Sequence, residues 1–147
     1  MAVQVYPFIK ISNEVHRPWI PIRVFNSKDR SAFIEMMALI DTGADHCVFP
    51  KLVADQTKLD LKGAALSTEI MQGLGETKIE VWKHSFKIEL LTPDRKNIFW
   101  KSNDIIVGCV EHDNIPPILG FSNFLCDFKI TFNHATKKII IDNSPRI

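Results

Sequence analysis

An apolar run that ends in an acidic turn most strongly constrains how this chain folds. Residues 33–40 are apolar except for one glutamate, and the run ends at Asp41, Thr42 and Gly43. Such a run predicts a buried strand, and the glycine after it permits a sharp turn. The pattern therefore predicts a strand that presents the Asp41 carboxylate in a cleft. It occurs only once in the 147 residues.

The overall charge gives no reason to expect a nucleic acid or an anionic membrane as a partner. The chain has 18 Lys and Arg against 17 Asp and Glu, a formal net charge of +1, whereas a strong basic excess is typical of proteins that bind polyanions. No apolar stretch reaches the length of a membrane span, and the first basic residue, Lys10, follows the apolar start of the chain. We therefore expect a cytoplasmic protein.

The cysteines predict neither a disulfide framework nor a metal site. Cys47, Cys109 and Cys126 are odd in number and have no CxxC spacing. Cys109 and His112 are close enough in sequence to suggest half of a zinc site, but no matching second pair is present. We expect buried or unreactive thiols and no bound metal.

Most of the chain has the apolar periodicity of strands. Strands are predicted at residues 3–11, 19–25, 32–40, 67–71, 78–91, 98–110, 127–132 and 137–142. Short helices are predicted at 50–57, where a proline suits the first turn, and at 121–126. The length fits one domain. The sequence therefore predicts a single all-β domain over residues 1–147 with two short helices.

Two further segments accompany the acidic turn. Gly73 and Gly75 lie between two predicted strands, where glycine tolerates the positive φ of a hairpin tip. Nearer the C-terminus, Ile118, Leu119 and Gly120 read as a short buried strand that ends before a helix. Taken alone, each segment is an ordinary turn or strand end.

The order of the three segments resembles that of retropepsin-like aspartic proteases. The stretches ALIDTGADHCVFP and PPILGFSNFLCDFKITF carry the resemblance, and the order of elements covers nearly the whole chain. The resemblance is closer to single-domain bacterial and archaeal members than to the retroviral enzymes. It implies a closed or orthogonal β-barrel of the retropepsin type. It also implies an aspartic endopeptidase that hydrolyses a peptide or protein substrate and needs no cofactor.

Such enzymes hold one water between two aspartates that share a proton, and this chain supplies one aspartate. Asp104, Asp127 and Asp142 do not stand between an apolar strand and a glycine turn. A two-lobed enzyme needs about twice this length. The resemblance therefore implies that Asp41 of two chains forms the pair across a two-fold axis. A homodimer would then be a condition of activity.

The resemblance implies a role for each residue of the acidic turn. Asp41 is the catalytic acid and base, Thr42 hydrogen-bonds across the dimer, and Gly43 turns the backbone so that its amide reaches the carboxylate. Ala44 and Asp45 are expected to border the bound substrate. A serine at position 44 could donate a hydrogen bond that stabilises the ionised carboxylate. Since Ala44 cannot, we expect activity at mildly acid pH.

The resemblance also implies a flap, a hairpin that closes over the substrate and excludes water. Met71, Gly73, Leu74 and Gly75 are its candidate substrate contacts. Ile118 is expected to reach the same site from the strand behind the acidic turn.

Phe121 departs from the retroviral pattern, in which an arginine at this position pairs with the active-site loop and the partner chain. The dimer therefore needs another support, and the hairpin predicted at residues 127–142 is a candidate for an intersubunit sheet. A second function stays open: a catalytically inactive retropepsin fold that serves as a dimerisation or peptide-binding module.

Overall fold

The chain folds almost entirely into strands, as its periodicity predicts. The structure is a computed structural model that describes residues 2–72, 75 and 77–144. The strands are β1 Val3–Pro7, β2 Ile9–Lys10, β3 His16–Arg17, β4 Trp19–Asn26, β5 Asp29–Ile40, β6 Val48–Phe49, β7 Ser67–Gln72, β8 Lys78–Leu91, β9 Ile98–Lys101, β10 Ile105–Cys109, β11 Ile118–Leu119, β12 Lys129–Asn133 and β13 Lys138–Asp142.

The first predicted helix is confirmed and the second is wrong. Helix α1, Lys51–Gln56, begins after Pro50 and ends at Thr57, whose buried hydroxyl bonds back to a helix carbonyl at 2.6 Å. Residues 121–126 do not form a helix, because Asn123 has a φ of 68°, which a right-handed helix does not accommodate. Only a 3-10 turn, Leu125–Asp127, follows. Within the described ranges, no helix has the length and hydropathy needed to span a bilayer.

Two of the long predicted strands are divided in the structure. The strand predicted at 3–11 is interrupted at Phe8, between β1 and β2. The strand predicted at 98–110 is interrupted between β9 and β10, where Ser102 bonds twice to Ile88 of β8. The Ser102 amide donates to the Ile88 carbonyl, and the Ile88 amide donates to the Ser102 hydroxyl, both at 2.8 Å. A side chain thus replaces one partner of the ladder, and the strand breaks there.

The larger sheet surrounds the core. Its strand order is β10-β6-β11-β5-β4-β8-β7, and β10 also pairs with β8, so the path returns on itself. The all-β prediction is therefore confirmed. The ring is less regular than the predicted barrel, because β6 and β11 contribute only two residues each. Its buried side chains include Ile20, Ile22, Phe49, Phe86, Ile88, Leu90 and Leu119.

A second sheet has the order β1-β13-β12, with both neighbours antiparallel to β13. Ile139 and Ile141 of β13 are buried against the same core. Tyr6 of β1 is also buried, and its hydroxyl donates to the carbonyl oxygen of Leu91 at 2.6 Å. Burial raises the pKa of Tyr6 well above its ordinary value, so the hydroxyl stays a neutral donor. This bond ties the small sheet to β8.

Replacing Tyr6 with phenylalanine should lower the free energy of unfolding by about 1–2 kcal/mol, because a buried carbonyl loses its donor. Urea unfolding followed by tryptophan fluorescence measures the change. Val5→Ala is the matched control on the same strand. Val5 is 46% exposed, and its replacement should change stability by less than about 0.5 kcal/mol. Equal stability of Tyr6→Phe and wild type would mean that the bond contributes nothing.

Candidate active site

Asp41 lies directly after β5, where the apolar run ends. Ile40 before it is buried, whereas Asp41 is partly exposed. Strand β11 runs parallel to the end of β5, with Leu119 opposite Ile40. The Asp41 amide donates to the Leu119 carbonyl at 3.1 Å. Two segments that are distant in sequence therefore fix the backbone of Asp41.

The Asp41 loop, residues 41–47, orients its own carboxylate. The Gly43 amide donates to Oδ1 of Asp41 at 2.9 Å, and the Ala44 amide donates to the Asp41 carbonyl at 3.2 Å. Gly43 does not have a positive φ. A methyl group on Gly43 would instead lie 3.3 Å from Oδ1. Glycine therefore leaves room for the carboxylate at this position.

The residues after β11 pack tightly against the Asp41 loop. The amides of Phe121 and Ser122 donate to the carbonyls of Ala44 and Asp45, each at 2.9 Å. A methyl group on Gly120 would lie 2.4 Å from the backbone oxygen of His46 and 2.9 Å from that of Ala44. Since backbone atoms cannot move aside as a flexible side chain can, this approach requires glycine.

Cys47 occupies the centre of this junction. Its sulfur accepts a bond from the Gly120 amide at 3.4 Å and donates to the Ser122 carbonyl at 3.7 Å. Burial raises the pKa of the Cys47 thiol to about 11 and that of Cys109 to about 12, so both thiols stay protonated at neutral pH. Across the described ranges, no three His, Cys, Asp or Glu side chains are grouped to hold a metal.

Asp41 lines a cleft of about 630 Å³. Three segments that are far apart in sequence line it: the Asp41 loop, the end of β7 and the start of β11. The lining residues are Asp41, Gly43, Ala44, Asp45, His46, Val48, Glu69, Ile70, Met71, Gln72 and Ile118. The structure thus brings Met71 and Ile118 to the same space as the acidic turn.

Thr42 does not line this cleft. It borders a second cavity of about 310 Å³, whose other lining residues are Phe8, His16, Pro18, Ile40, Phe132 and His134. The Phe132 and His134 rings are stacked, with centroids 6.2 Å apart, and the Phe8 ring meets His134 edge-on. Asp41 and its neighbour therefore border different cavities.

The hairpin of β7 and β8 forms one wall of the cleft. Met71 is opposite Ile79, and Gln72 is opposite Lys78. Gly75 in the turn has a φ of 75°, which accords with the expected glycine turn. The other two hairpin residues that the sequence singled out, Gly73 and Leu74, lie outside the described residues.

An apolar pocket of about 150 Å³ adjoins the cleft and shares part of its lining. Its lining residues are Val48, Met71, Gln72, Ile79, Val81, Val110, His112, Ile115 and Ile118. Nothing in the sequence marks Val81, Val110 or Ile115 as pocket residues. The alternation in β8 indicates that Val81 is buried, but no pattern indicates which distant strands it meets.

Two ionisable residues of the cleft were also not selected as site residues. His46 is exposed and borders the cleft. Glu69 of β7 is paired with Lys83 of β8 at 2.5 Å. The hydrogen bond from Lys83 holds the pKa of the Glu69 carboxyl below its usual range, so this side of the cleft carries a paired charge.

Comparison with known proteins gives support at the level of the fold. No family model matches the chain, and no curated protein matches it. Among solved structures, the chain is similar to the crystal structure of a retropepsin-like aspartic protease from Rickettsia conorii. The TM-score is 0.63 at 14% identity, and the alignment covers 95% of this chain and 98% of that one. This chain has a retropepsin-like fold.

In this retropepsin-like fold, Gly120→Ala should lower the free energy of unfolding by about 1–3 kcal/mol, because the added methyl overlaps backbone atoms of the Asp41 loop. Urea unfolding measures the change. Phe121→Ala is the control, since Phe121 is 60% exposed and its truncation should cost less than about 0.5 kcal/mol. Similar values for the two variants would contradict the tight contact at Gly120.

Proposed function

We propose that this chain is an aspartic endopeptidase whose active site combines Asp41 of two identical chains. One observation supports this most directly: the Asp41 carboxylate, oriented by the Gly43 amide at 2.9 Å, borders a cleft of about 630 Å³. The similarity of the fold to that of a solved retropepsin-like aspartic protease also supports the proposal. The chain has one such acidic turn, so a second copy is needed for the second carboxylate.

Two close carboxylates can divide the chemistry of peptide hydrolysis between them. Like charges at short range cannot both ionise, so the pair holds one proton. The ionised Asp41 takes a proton from water as the water attacks the peptide carbonyl, while the protonated Asp41 donates to the carbonyl oxygen. When the tetrahedral intermediate collapses, the protonated carboxyl gives its proton to the leaving amine while the ionised carboxylate takes one from a hydroxyl of the intermediate, so the pair again holds one proton. No other residue has to change its protonation state.

The walls of the cleft suit an extended peptide. Asp45 offers a carboxylate that can accept a bond from a backbone amide of the substrate, and the β7–β8 hairpin offers an edge beside it. Met71 and Ile118 are the apolar contacts. We assign the hairpin the role of a flap, which excludes water when the substrate is bound.

The apolar pocket beside the cleft favours an aliphatic side chain next to the scissile bond. Its volume is about 150 Å³, and most of its lining is branched aliphatic. Burying such a side chain contributes on the order of 1.5–3 kcal/mol to the free energy of substrate binding. This pocket can therefore favour substrates with an aliphatic side chain over those without one.

We also propose that residues 1–147 form one domain. The larger hydrophobic core includes side chains from Tyr6 to Ile141, which is the arrangement expected of a single folding unit. The cytoplasmic location stays a prediction of the sequence.

Asp41→Asn should reduce peptide cleavage by about a thousandfold or more, because the pair loses its acid and its base. A peptide library assayed from about pH 3 to about pH 7 covers the range in which a carboxylate pair titrates. Asp104→Asn is the control, since Asp104 is exposed and outside the cleft, and should keep full activity. Sedimentation of the same samples gives the oligomeric state.

Mixing equal amounts of wild type and Asp41→Asn distinguishes a shared site from a site within one chain. After subunits exchange, only about a quarter of the dimers contain two wild-type chains, so activity should fall to about a quarter of that of wild type at equal total protein. A fall to one half would mean that each chain works alone. A wild-type dimer that binds peptides without cleaving them would favour the inactive binding module.

Ala44→Ser should extend activity to lower pH. The added hydroxyl can donate a hydrogen bond to the Asp41 carboxylate and favour its ionised form. One carboxylate of the pair therefore stays ionised to a lower pH. The acid limb of the rate profile should therefore move down in pH, whereas Ala44→Val adds bulk without a donor and should not move it. An acid limb of Ala44→Ser that is unchanged or moves up would contradict this role of position 44.

A further inference from the structure

Two polar side chains interrupt the aliphatic lining of the pocket beside the cleft. Among the described residues that line it, all are aliphatic or methionine except Gln72, at the end of β7, and His112, which follows β10. A pocket that only has to hold an aliphatic side chain needs neither of them. Because apolar binding sites use a few polar groups to select their ligands, these two residues indicate a more specific occupant.

The backbone around His112 is bonded to the start of helix α1. The Lys51 amide donates to the His112 carbonyl at 3.0 Å, and the Leu52 amide donates to Oδ1 of Asp113 at 2.7 Å. These two bonds join the segment to a helix of the folded core. The position of the imidazole at the pocket is therefore set by the fold before any ligand binds.

A further hydrogen bond determines which nitrogen of His112 carries a proton. The Asn114 amide donates to Nδ1 of His112 at 3.2 Å, so in the neutral ring Nδ1 is the acceptor and Nε2 carries the proton. In the charged ring both nitrogens carry protons. Within residues 2–72, 75 and 77–144, no group is bonded to Nε2. His112 therefore offers a hydrogen-bond donor to a ligand in either protonation state.

Gln72 offers an acceptor. Its carboxamide nitrogen donates to the Gly75 carbonyl at 3.4 Å. Since a carbonyl oxygen can only accept, this bond identifies which end of the carboxamide is the nitrogen and leaves Oε1 as the acceptor. Gln72 lines both the cleft and the pocket, so this side chain lies where the two spaces meet.

One donor and one acceptor on a small apolar pocket match a primary carboxamide. The oxygen of such a group can accept from Nε2 of His112, and its NH₂ group can donate to Oε1 of Gln72. Glutamine suits the aliphatic walls better than asparagine, because its stem has two methylenes instead of one. An ionised glutamate could accept from His112, but its second oxygen would face the oxygen of Gln72.

A purely aliphatic side chain would contact the walls but leave both polar groups without a partner. Binding of a substrate displaces water from the pocket. A donor or acceptor that loses its water and gains no new partner weakens binding. A site that can bond a polar group therefore discriminates against the analogue that lacks it.

We propose that this pocket recognises a glutamine side chain of the substrate, and that His112 determines this specificity. The inference rests on the proposed function, since it names the side chain that a peptide substrate presents beside the scissile bond. It also refines the aliphatic preference of the walls. The glutamine stem contacts the walls, and the carboxamide bonds to His112 and Gln72.

Peptides that differ only in the residues at the scissile bond test this assignment. Those residues are either glutamine or methionine, which has a similar length and no carboxamide. Wild type should cleave the glutamine peptide with a kcat/KM about fivefold higher than that of the methionine peptide, because only glutamine makes the hydrogen bonds. His112→Leu should abolish or invert this ratio, whereas His112→Gln keeps a donor and should restore part of it.

Ile115→Ala is the matched control in the same pocket. Ile115 is an apolar lining residue, so its truncation removes contact area and leaves the donor of His112 in place. It should lower kcat/KM for both peptides and keep their ratio near that of wild type. A ratio that changes as much in Ile115→Ala as in His112→Leu would overturn the role of His112, and so would a preference for glutamate over glutamine.

Binding separates this inference from the proposed function. Calorimetry gives the affinity of Asp41→Asn for the same two peptides, alone and combined with His112→Leu. A preference for glutamine that disappears with His112→Leu supports the pocket assignment whether or not wild type cleaves peptides. Equal affinities, in a protein whose wild type does cleave, overturn the pocket assignment while the enzyme assignment stays. A protein that neither binds nor cleaves either peptide overturns both.

Discussion

The position of Asp41 depends on a backbone contact that has no room for a side chain. The chain passes β11 beside β5 and then bonds three successive backbone amides of residues 120–122 to the Asp41 loop, with Gly120 at the closest point. The two segments are separated by about half of the sequence, so only the completed fold can bring them together. The position of the loop backbone is therefore a property of the whole larger sheet, and within that frame the Gly43 amide orients the carboxylate.

Much of this fold follows from local patterns in the sequence. Strand periodicity predicts the all-β architecture, and Pro50 with the apolar residues after it predicts α1. Local patterns do not predict the absence of a helix at residues 121–126 or the interruption between β9 and β10. Asn123 has a left-handed φ and Ser102 replaces a ladder partner with its hydroxyl, and both depend on neighbours that the folded chain supplies. A residue-by-residue pattern contains no information about such partners.

The candidate site likewise has one part that the sequence predicts and another that only the folded chain assembles. Asp41, Gly43, Ala44 and Asp45 are consecutive or nearly so, and their order carries the resemblance that selected them. The pocket beside them is built from strands that meet only in three dimensions. Val81, Val110 and Ile115 have the sequence of ordinary core residues, because the same aliphatic chemistry fills a core and lines a pocket. At 14% identity to a solved retropepsin-like structure, the shared geometry is that of the backbone.

In the dimeric endopeptidase that we propose, the two-fold axis gives the site two copies of the apolar pocket. A peptide has a direction, whereas a site made from two identical halves has none. Every substrate would therefore meet the same pocket twice, once on each side of the bond to be cut. A single replacement at Val81 or Ile115 would alter both encounters together, so the two sides of a cleavage sequence cannot be tuned independently by changing this gene once. In such a dimer, selectivity between the two ends would have to come from the substrate.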